Sequence, residues 1–177
     1  RWWSSAASDV YKRQITGKNG SGKTTLIMCI SNNFIGNTFN SNIRRKDTSI
    51  MEIGSFPSLM PELSLLENIK YFLFNDNINE NMISNVLNKY ELESFKSDLV
   101  RDFSSGMVKR SEIAIADIKN PKVLCIDEPR VYLDENGVDL LLNLITKREK
   151  EGSTSILSSQ ESIGSFTSIE RSFNLDD

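Results

Sequence analysis

The chain has 177 residues, enough for one α/β domain with a sizeable core, and its 38% hydrophobic and 25% charged composition is that of an ordinary folded protein. A formal charge of −3 gives no general attraction to nucleic acid, so no nucleic-acid partner is expected, and no apolar run approaches the ~20 residues that a bilayer-spanning helix needs. Cys29 and Cys125 both fall in apolar stretches, and two cysteines with no histidine make a poor metal-ligand set, so they read as reduced core residues of a cytosolic compartment.

Residues 1–14 show no apolar periodicity, and Asp9-Val10-Tyr11-Lys12-Arg13-Gln14 resembles the translation of a sequencing adapter. The segment is expected to be non-native, with native sequence from near Ile15 and a truncated N-terminal β region. Gly17-Lys18-Asn19-Gly20-Ser21-Gly22-Lys23-Thr24-Thr25 then fits the phosphate-loop pattern of glycine, four residues and Gly-Lys-Ser/Thr. Its glycines permit a tight turn with N–H groups aimed inward, where they and the positive end of the next helix receive nucleotide phosphates. Gly17, Asn19, Gly20, Ser21, Gly22, Lys23, Thr24 and Thr25 are the candidate nucleotide contacts. Lys23 is placed to reach the β and γ phosphates, and the Thr24 hydroxyl to ligate Mg²⁺.

Helix is expected over 24–31, followed by a polar, Asn-rich loop over 32–47 with short strand pieces. A strand is expected over 50–56, and Pro57 and Pro61 interrupt the chain before Ser64-Leu65-Leu66-Glu67, a capping box opening a helix to about Phe74. Asn79 starts another helix with Met82, Ile83, Val86, Leu87 and Tyr90 on one face, most simply a core stripe. After a polar stretch, a third helix covers about 106–118 and stops at Asn120-Pro121. Val123-Leu124-Cys125-Ile126 reads as a strand buried on both faces, ending in Asp127-Glu128-Pro129. A helix over 135–150 with Val138, Leu141, Leu142 and Ile145 at helical spacing, a strand over 154–157 and a last strand near 173–175 complete the chain. The alternation predicts an α/β fold with a mainly parallel sheet flanked by helices.

Two acids at the end of a buried strand need a reason, because open α/β sheets bind ligands at the carboxyl ends of their strands. In a phosphoryl-transfer site Asp127 holds Mg²⁺ and Glu128 orients or deprotonates the attacking water. Phe103-Ser104-Ser105-Gly106-Met107 adds a third motif, and with it the chain resembles the ATP-binding-cassette (ABC) ATPases from Ile15 almost to its end. Gly17 to Thr24 matches the family's Walker A, Val123 to Glu128 its Walker B and catalytic glutamate, Leu133-Asp134 its D-loop, and Ser158-Ser159 precedes the switch-histidine position. The resemblance implies a phosphate-loop NTPase with a small helical subdomain over about 62–118 inside an ABC domain over 15–177. It also implies a homodimer or heterodimer of ATPase domains that sandwiches ATP and Mg²⁺. Ser104, Ser105 and Gly106, together with the D-loop Asp134, then serve the ATP of the opposite subunit. An integral membrane permease is the further implied partner, with the domain peripheral on the cytoplasmic face of a bacterial inner membrane.

Several positions depart from the family pattern. Gln14 and Gln160 are the two glutamines of the chain, so the Q-loop glutamine has no match and Ser55, Phe56 and Ser58 occupy its region. Gln160 stands for the switch histidine, where an amide hydrogen-bonds but carries no proton or charge. Met107 replaces the signature glutamine, Ser105 a glycine, and Asp117 an arginine. These departures imply either slow or damaged hydrolysis or errors in the sequence, with binding retained in view of the intact Lys23, Asp127 and Glu128. Ile53-Gly54 and Glu67-Asn68-Ile69-Lys70-Tyr71-Phe72 resemble the ATPase subunits that serve heme export in cytochrome c maturation, while ABC-2-type drug or peptide exporters share the Phe-Ser-Ser-Gly-Met pattern. A degenerate ATP sensor or a non-transport ABC ATPase are the readings of another class.

Overall fold

A computed structural model describes residues 12–31, 48–74, 76, 79–160 and 171–176. Residues 1–11 of the expected non-native segment and the expected loop over 32–47 lie outside the described residues. In chain order the elements are β1 (Lys12–Thr16), α1 (Lys23–Ser31), β2 (Ile50–Ile53), α2 (Leu65–Phe72), α3 (Glu80–Lys89), α4 (Ser105–Lys119), β3 (Val123–Asp127), α5 (Glu135–Lys150), β4 (Thr154–Ser159) and β5 (Arg171–Asn174). They fall into two compact units, one drawn from Arg1–Gly54, Pro121–Pro129 and Ile145–Asp177, the other from Ser55–Asn120 and Arg130–Leu144.

In the first unit the five described strands form one sheet in the order β2-β3-β4-β1-β5, every pairing parallel. β3 has neighbours on both sides, and its Leu124, Cys125 and Ile126 are fully buried, as a strand covered on both faces requires. Ile15, Ile27, Cys125 and Ile156 form the core of this unit, joined by Leu26, Ile30 and Val123, so α1 lays its apolar face on the sheet. Burying each such Ile or Leu side chain is worth about 1.5–3 kcal/mol. Burial pushes the Cys125 thiol up to about 12, which keeps it a protonated, inert core residue.

Pairing in β1 begins at Lys12, so Lys12, Arg13 and Gln14, which the sequence reading set aside, occupy buried places in the sheet. Each is a long polar side chain in an interior strand, where apolar residues are the rule. Lys12 Nζ meets the Glu149 carboxylate at 2.5 Å, and Gln14 Nε2 donates to Ser159 Oγ at 2.9 Å. Arg148 of α5 is likewise fully buried. It donates to the carbonyls of Pro121 (2.8 Å) and Thr154 (3.1 Å), which ties the helix to the starts of β3 and β4. The buried positions of α5 are Gly137, Leu141, Leu144, Ile145 and Arg148, a stripe rotated from the expected one: Val138 and Leu142 are half-buried.

The second unit is helical. Ser64 Oγ accepts the Glu67 N–H while Glu67 Oε2 accepts the Ser64 N–H at 2.8 Å, the capping box read from the sequence, and α2 ends at Phe72, leaving Phe74 exposed. Asn79 caps α3, which buries Ile83 and Leu87 but leaves Met82 42% exposed, so Met82 is not a core residue. Two short 3₁₀ turns, Glu93–Phe95 and Val100–Asp102, fill the polar stretch before α4. Asn120 ends α4 in the left-handed conformation (φ 42°), as an αL cap does.

Asp117 of α4, nearly fully buried, takes Lys89 Nζ at 2.7 Å and the Tyr90 hydroxyl at 3.2 Å. Burial and then the Asp117 charge push the Tyr90 hydroxyl far above its ordinary range, so it stays a donor. This accounts for an aspartate where the resemblance led one to expect arginine: the acid holds the end of α3 onto α4. Asp117→Ala is expected to lower unfolding stability by about 1–3 kcal/mol, mostly from the Tyr90 hydroxyl left buried without this acceptor. A urea midpoint equal to that of the wild type would contradict that role.

Candidate functional site

The motifs of the first unit meet at the carboxyl ends of three adjacent strands. β1 runs into Gly17, β3 into Asp127-Glu128, and β4 into Ser158-Ser159-Gln160, and β3, β4 and β1 are neighbours in that order. The phosphate loop joins β1 to α1. A Cβ on Gly17 would stand 2.5 Å from Ser21 Oγ, so only glycine permits the loop to close this tightly. Asn19, Gly20 and Thr25 are exposed, whereas Gly17 and Lys23 are buried. Lys23 Nζ donates to the carbonyls of Gly17 (2.8 Å) and Lys18 (3.0 Å), which places an ammonium at the mouth of its own loop. Ser21 Oγ is buried with no hydrogen-bond partner among the described residues. Beside it, the first-turn N–H groups of α1 have no intrahelical acceptor. Cation, orphan hydroxyl and helix start together form a receptor for an anion.

Thr24 Oγ1 donates to Asp127 Oδ2 at 2.8 Å, and Ser158 Oγ donates to Asp127 Oδ1. The residues expected to share a metal ion are therefore in direct contact. A hydroxyl and one carboxylate suit Mg²⁺, which takes few protein ligands and completes its octahedron with water and phosphate oxygens. Among the described residues no group of three or more His, Cys, Asp or Glu converges on a point. Glu128 follows in the left-handed region (φ 46°), sparsely used by residues other than glycine, and its N–H is held by the Ser158 carbonyl at 3.0 Å. Burial raises its carboxyl, Asp127 raises it further, and Lys23 opposes both. Gln160 is exposed just past the end of β4.

Ser104, Ser105, Gly106 and Asp134 belong to the second unit. Ser104 is the N-cap of α4 and accepts the Met107 N–H at 3.2 Å, and a Cβ on Gly106 would come within 3.1 Å of the Tyr132 carbonyl. Asp134 accepts the Gly137 N–H at 2.8 Å and both of its oxygens take Arg110 Nη2 at 2.8 Å. The Arg110 and Gly137 bonds hold the Asp134 carboxyl below its usual range. The sequence reading passed over Arg110, which has no motif of its own beyond lying on the signature helix. It also passed over Glu112, which accepts the Ser58 N–H at 2.7 Å and the Ser58 hydroxyl at 3.0 Å, tying down the stretch where a Q-loop glutamine was sought.

A glycine loop between the first strand and helix of a parallel sheet, with a Thr–Asp contact at the strand ends, defines a phosphate-loop nucleotide fold. The model of the ABC transporter family matches residues 10–131, more than half of the chain. The chain belongs to that family, as its ATP-binding domain. It is 36% identical over 154 residues to the lantibiotic transport ATP-binding protein SrtF of Streptococcus pyogenes, covering 82% of this chain. The chain spans 66% of the length of that relative. It is 29% identical over 160 residues to the cytochrome c biogenesis ATP-binding export protein CcmA of Shewanella oneidensis, covering 85% of this chain and 74% of that one. Among solved structures, the dimeric post-hydrolysis state of the ATP-binding cassette MJ0796 bound to ADP and Pi superposes with a TM-score of 0.70 at 22% identity, covering 88% of this chain and 76% of that chain. No helix among the described residues is long and apolar enough to cross a membrane.

Proposed function

We propose that this chain is the ATP-binding, ATP-hydrolysing subunit of an ABC transporter that energises a separate membrane permease from the cytoplasmic face. The observation that carries the reading is the direct contact between Thr24 of the phosphate loop and Asp127, beside the Lys23 ammonium and the orphan Ser21 hydroxyl. Gly17, Asn19, Gly20, Ser21, Gly22, Lys23, Thr24 and Thr25 cradle the phosphates with their N–H groups and side chains. Thr24 and Asp127 are the residues that would hold Mg²⁺, which when bound offsets charge on the phosphate oxygens. Glu128, raised by burial, is the general base that receives the proton of the attacking water. Ser104, Ser105 and Gly106 present a helix start, and Asp134 a fixed carboxylate, to the nucleotide of a second copy or a related cassette. The MJ0796 dimer with ADP and Pi supports that two-subunit arrangement.

For cargo, the higher identity to a lantibiotic transport protein (36%) than to a CcmA protein (29%) favours a peptide over heme. Fold and motifs alone do not choose, because the permease selects what crosses. Copurification of the tagged chain with the permease encoded beside it, followed by peptide- or heme-stimulated ATPase assays, decides between the two.

Gln160 favours a second reading, an ATP sensor with little turnover, since an amide at this position cannot carry a charge. Gln160→His is expected to raise steady-state turnover about tenfold, the difference between a neutral and a charge-assisted hydrogen bond to phosphate. Brisk turnover by the wild type in the presence of its permease would exclude the sensor. A Gln160→His rate equal to a slow wild-type rate would show that the amide is not what limits hydrolysis.

A further inference from the structure

We propose that Ser158 is a positioning residue for the acid pair Asp127–Glu128, orienting the Asp127 carboxylate toward the metal of a bound nucleotide; this rests on the ATP-binding reading above. Ser158 is fully buried next to the end of β4 and stands directly opposite Asp127 in the strand register. Its hydroxyl donates to Asp127 Oδ1, while Thr24 holds Oδ2 at 2.8 Å from the other side. Its carbonyl accepts the Glu128 N–H at 3.0 Å. One residue thus fixes the side chain of the first acid and the backbone of the second.

The two contacts do different jobs. Glu128 sits at φ 46°, a conformation that costs a residue with a Cβ of order 1–3 kcal/mol and persists only where surrounding structure holds it. The Ser158 carbonyl is such a hold. The hydroxyl contact concerns the metal: Thr24 is itself a candidate ligand, whereas Ser158 has no ligand role and is free to keep the carboxylate from rotating. Outer partners of this kind orient ligands and tune affinity, as they do at other metal sites. The end of β4 is itself braced, because Ser159 Oγ accepts Gln14 Nε2 at 2.9 Å on the β1 side. Gln160 follows immediately, so a shift of that residue would reach both acids through Ser158.

The test is binding of a fluorescent ATP analogue to the full chain, titrated once in EDTA and once across a Mg²⁺ series. Ser158→Ala is expected to bind the analogue within about twofold of wild type in EDTA, while the Mg²⁺ midpoint rises about 10–100-fold. Ser158→Thr, which keeps the hydroxyl, is expected to restore the wild-type midpoint. A wild-type midpoint for Ser158→Ala overturns the proposal, and so does an equal loss with and without Mg²⁺, which marks a purely structural role. If Ser158→Ala does not fold, Ser158→Cys carries the same comparison: its weak S–H donor is expected to shift the midpoint in the same direction, and no shift overturns the proposal. Absence of saturable binding by the wild type instead overturns the phosphate-loop reading, and this assignment with it.

Discussion

Glu128→Gln is expected to lower steady-state ATP turnover by about 10²–10⁴-fold while leaving nucleotide affinity nearly intact, the effect of removing a positioned general base. Its backbone is held by Ser158, so the residue is placed by the fold and not by its own side chain, and glutamine keeps both shape and location. Only proton acceptance is lost. The pH dependence has a definite sign. Burial first, then Asp127, raise the Glu128 carboxyl above the ordinary 4.5, with Lys23 opposing. The base must be ionised to act, so the wild-type rate falls as pH drops through that raised value, earlier than an exposed glutamate would dictate. Any residual rate of Glu128→Gln should lack this acid limb. Stability runs the opposite way: the folded chain binds more proton here than the unfolded one above pH 4.5, so ionising Glu128 costs folding free energy as pH rises through its folded value. Replacement by the neutral amide should therefore raise the melting temperature slightly at neutral pH. Turnover of Glu128→Gln at the wild-type rate would remove Glu128 as the base.

The strands and motifs were legible because their signals are local. Gly17 to Thr25 is a contiguous pattern, Val123 to Ile126 a bare apolar run, and Ser64 to Glu67 a capping box complete in four residues. What stayed hidden depends on contacts far apart in the chain. Thr24 and Asp127 are 103 positions apart and Ser158 is 31 from Asp127, so their contact appears only once β3, β4 and β1 stand side by side. Lys12, Arg13 and Gln14 read as part of a foreign segment because no apolar periodicity marks them, and their place in the sheet was hidden because the backbone pairs through them regardless of side chain. Arg148 carries no signal of its own in the sequence, yet its guanidinium is buried because the carbonyls of Pro121 and Thr154 face it. The failure at Met82 runs the other way. An apolar residue at helical spacing lies at the edge of the stripe, and the second unit does not cover it.

Lys23→Met is expected to weaken ATP binding about 100-fold without weakening the nucleotide-free protein. In the free loop Lys23 is buried and its ammonium is held by the carbonyls of Gly17 and Lys18, neutral acceptors that offset its lost hydration only in part. Methionine has nearly the same length, keeps the apolar stem packed and removes the buried charge, so the melting temperature of the free variant should equal or exceed that of the wild type. Phosphates change the balance. A charge-assisted hydrogen bond is worth about 1.5–3 kcal/mol, so loss of one or two accounts for the expected drop in affinity. At nucleotide equal to 100 times the wild-type dissociation constant, binding stabilises the wild type by about 2.7 kcal/mol, a thermal shift of roughly 5–10 °C for a chain this size. The same concentration only matches the dissociation constant of the variant, which gives about 0.4 kcal/mol and a shift of about 1 °C. A differential melting experiment on both proteins, with and without Mg²⁺-ATP, reads both halves at once. Retention of the full shift by Lys23→Met would deny Lys23 its phosphate contact. A lower melting temperature for the free variant would mean that the ammonium supports the loop, and is not held there at a cost to the fold for the sake of the phosphates.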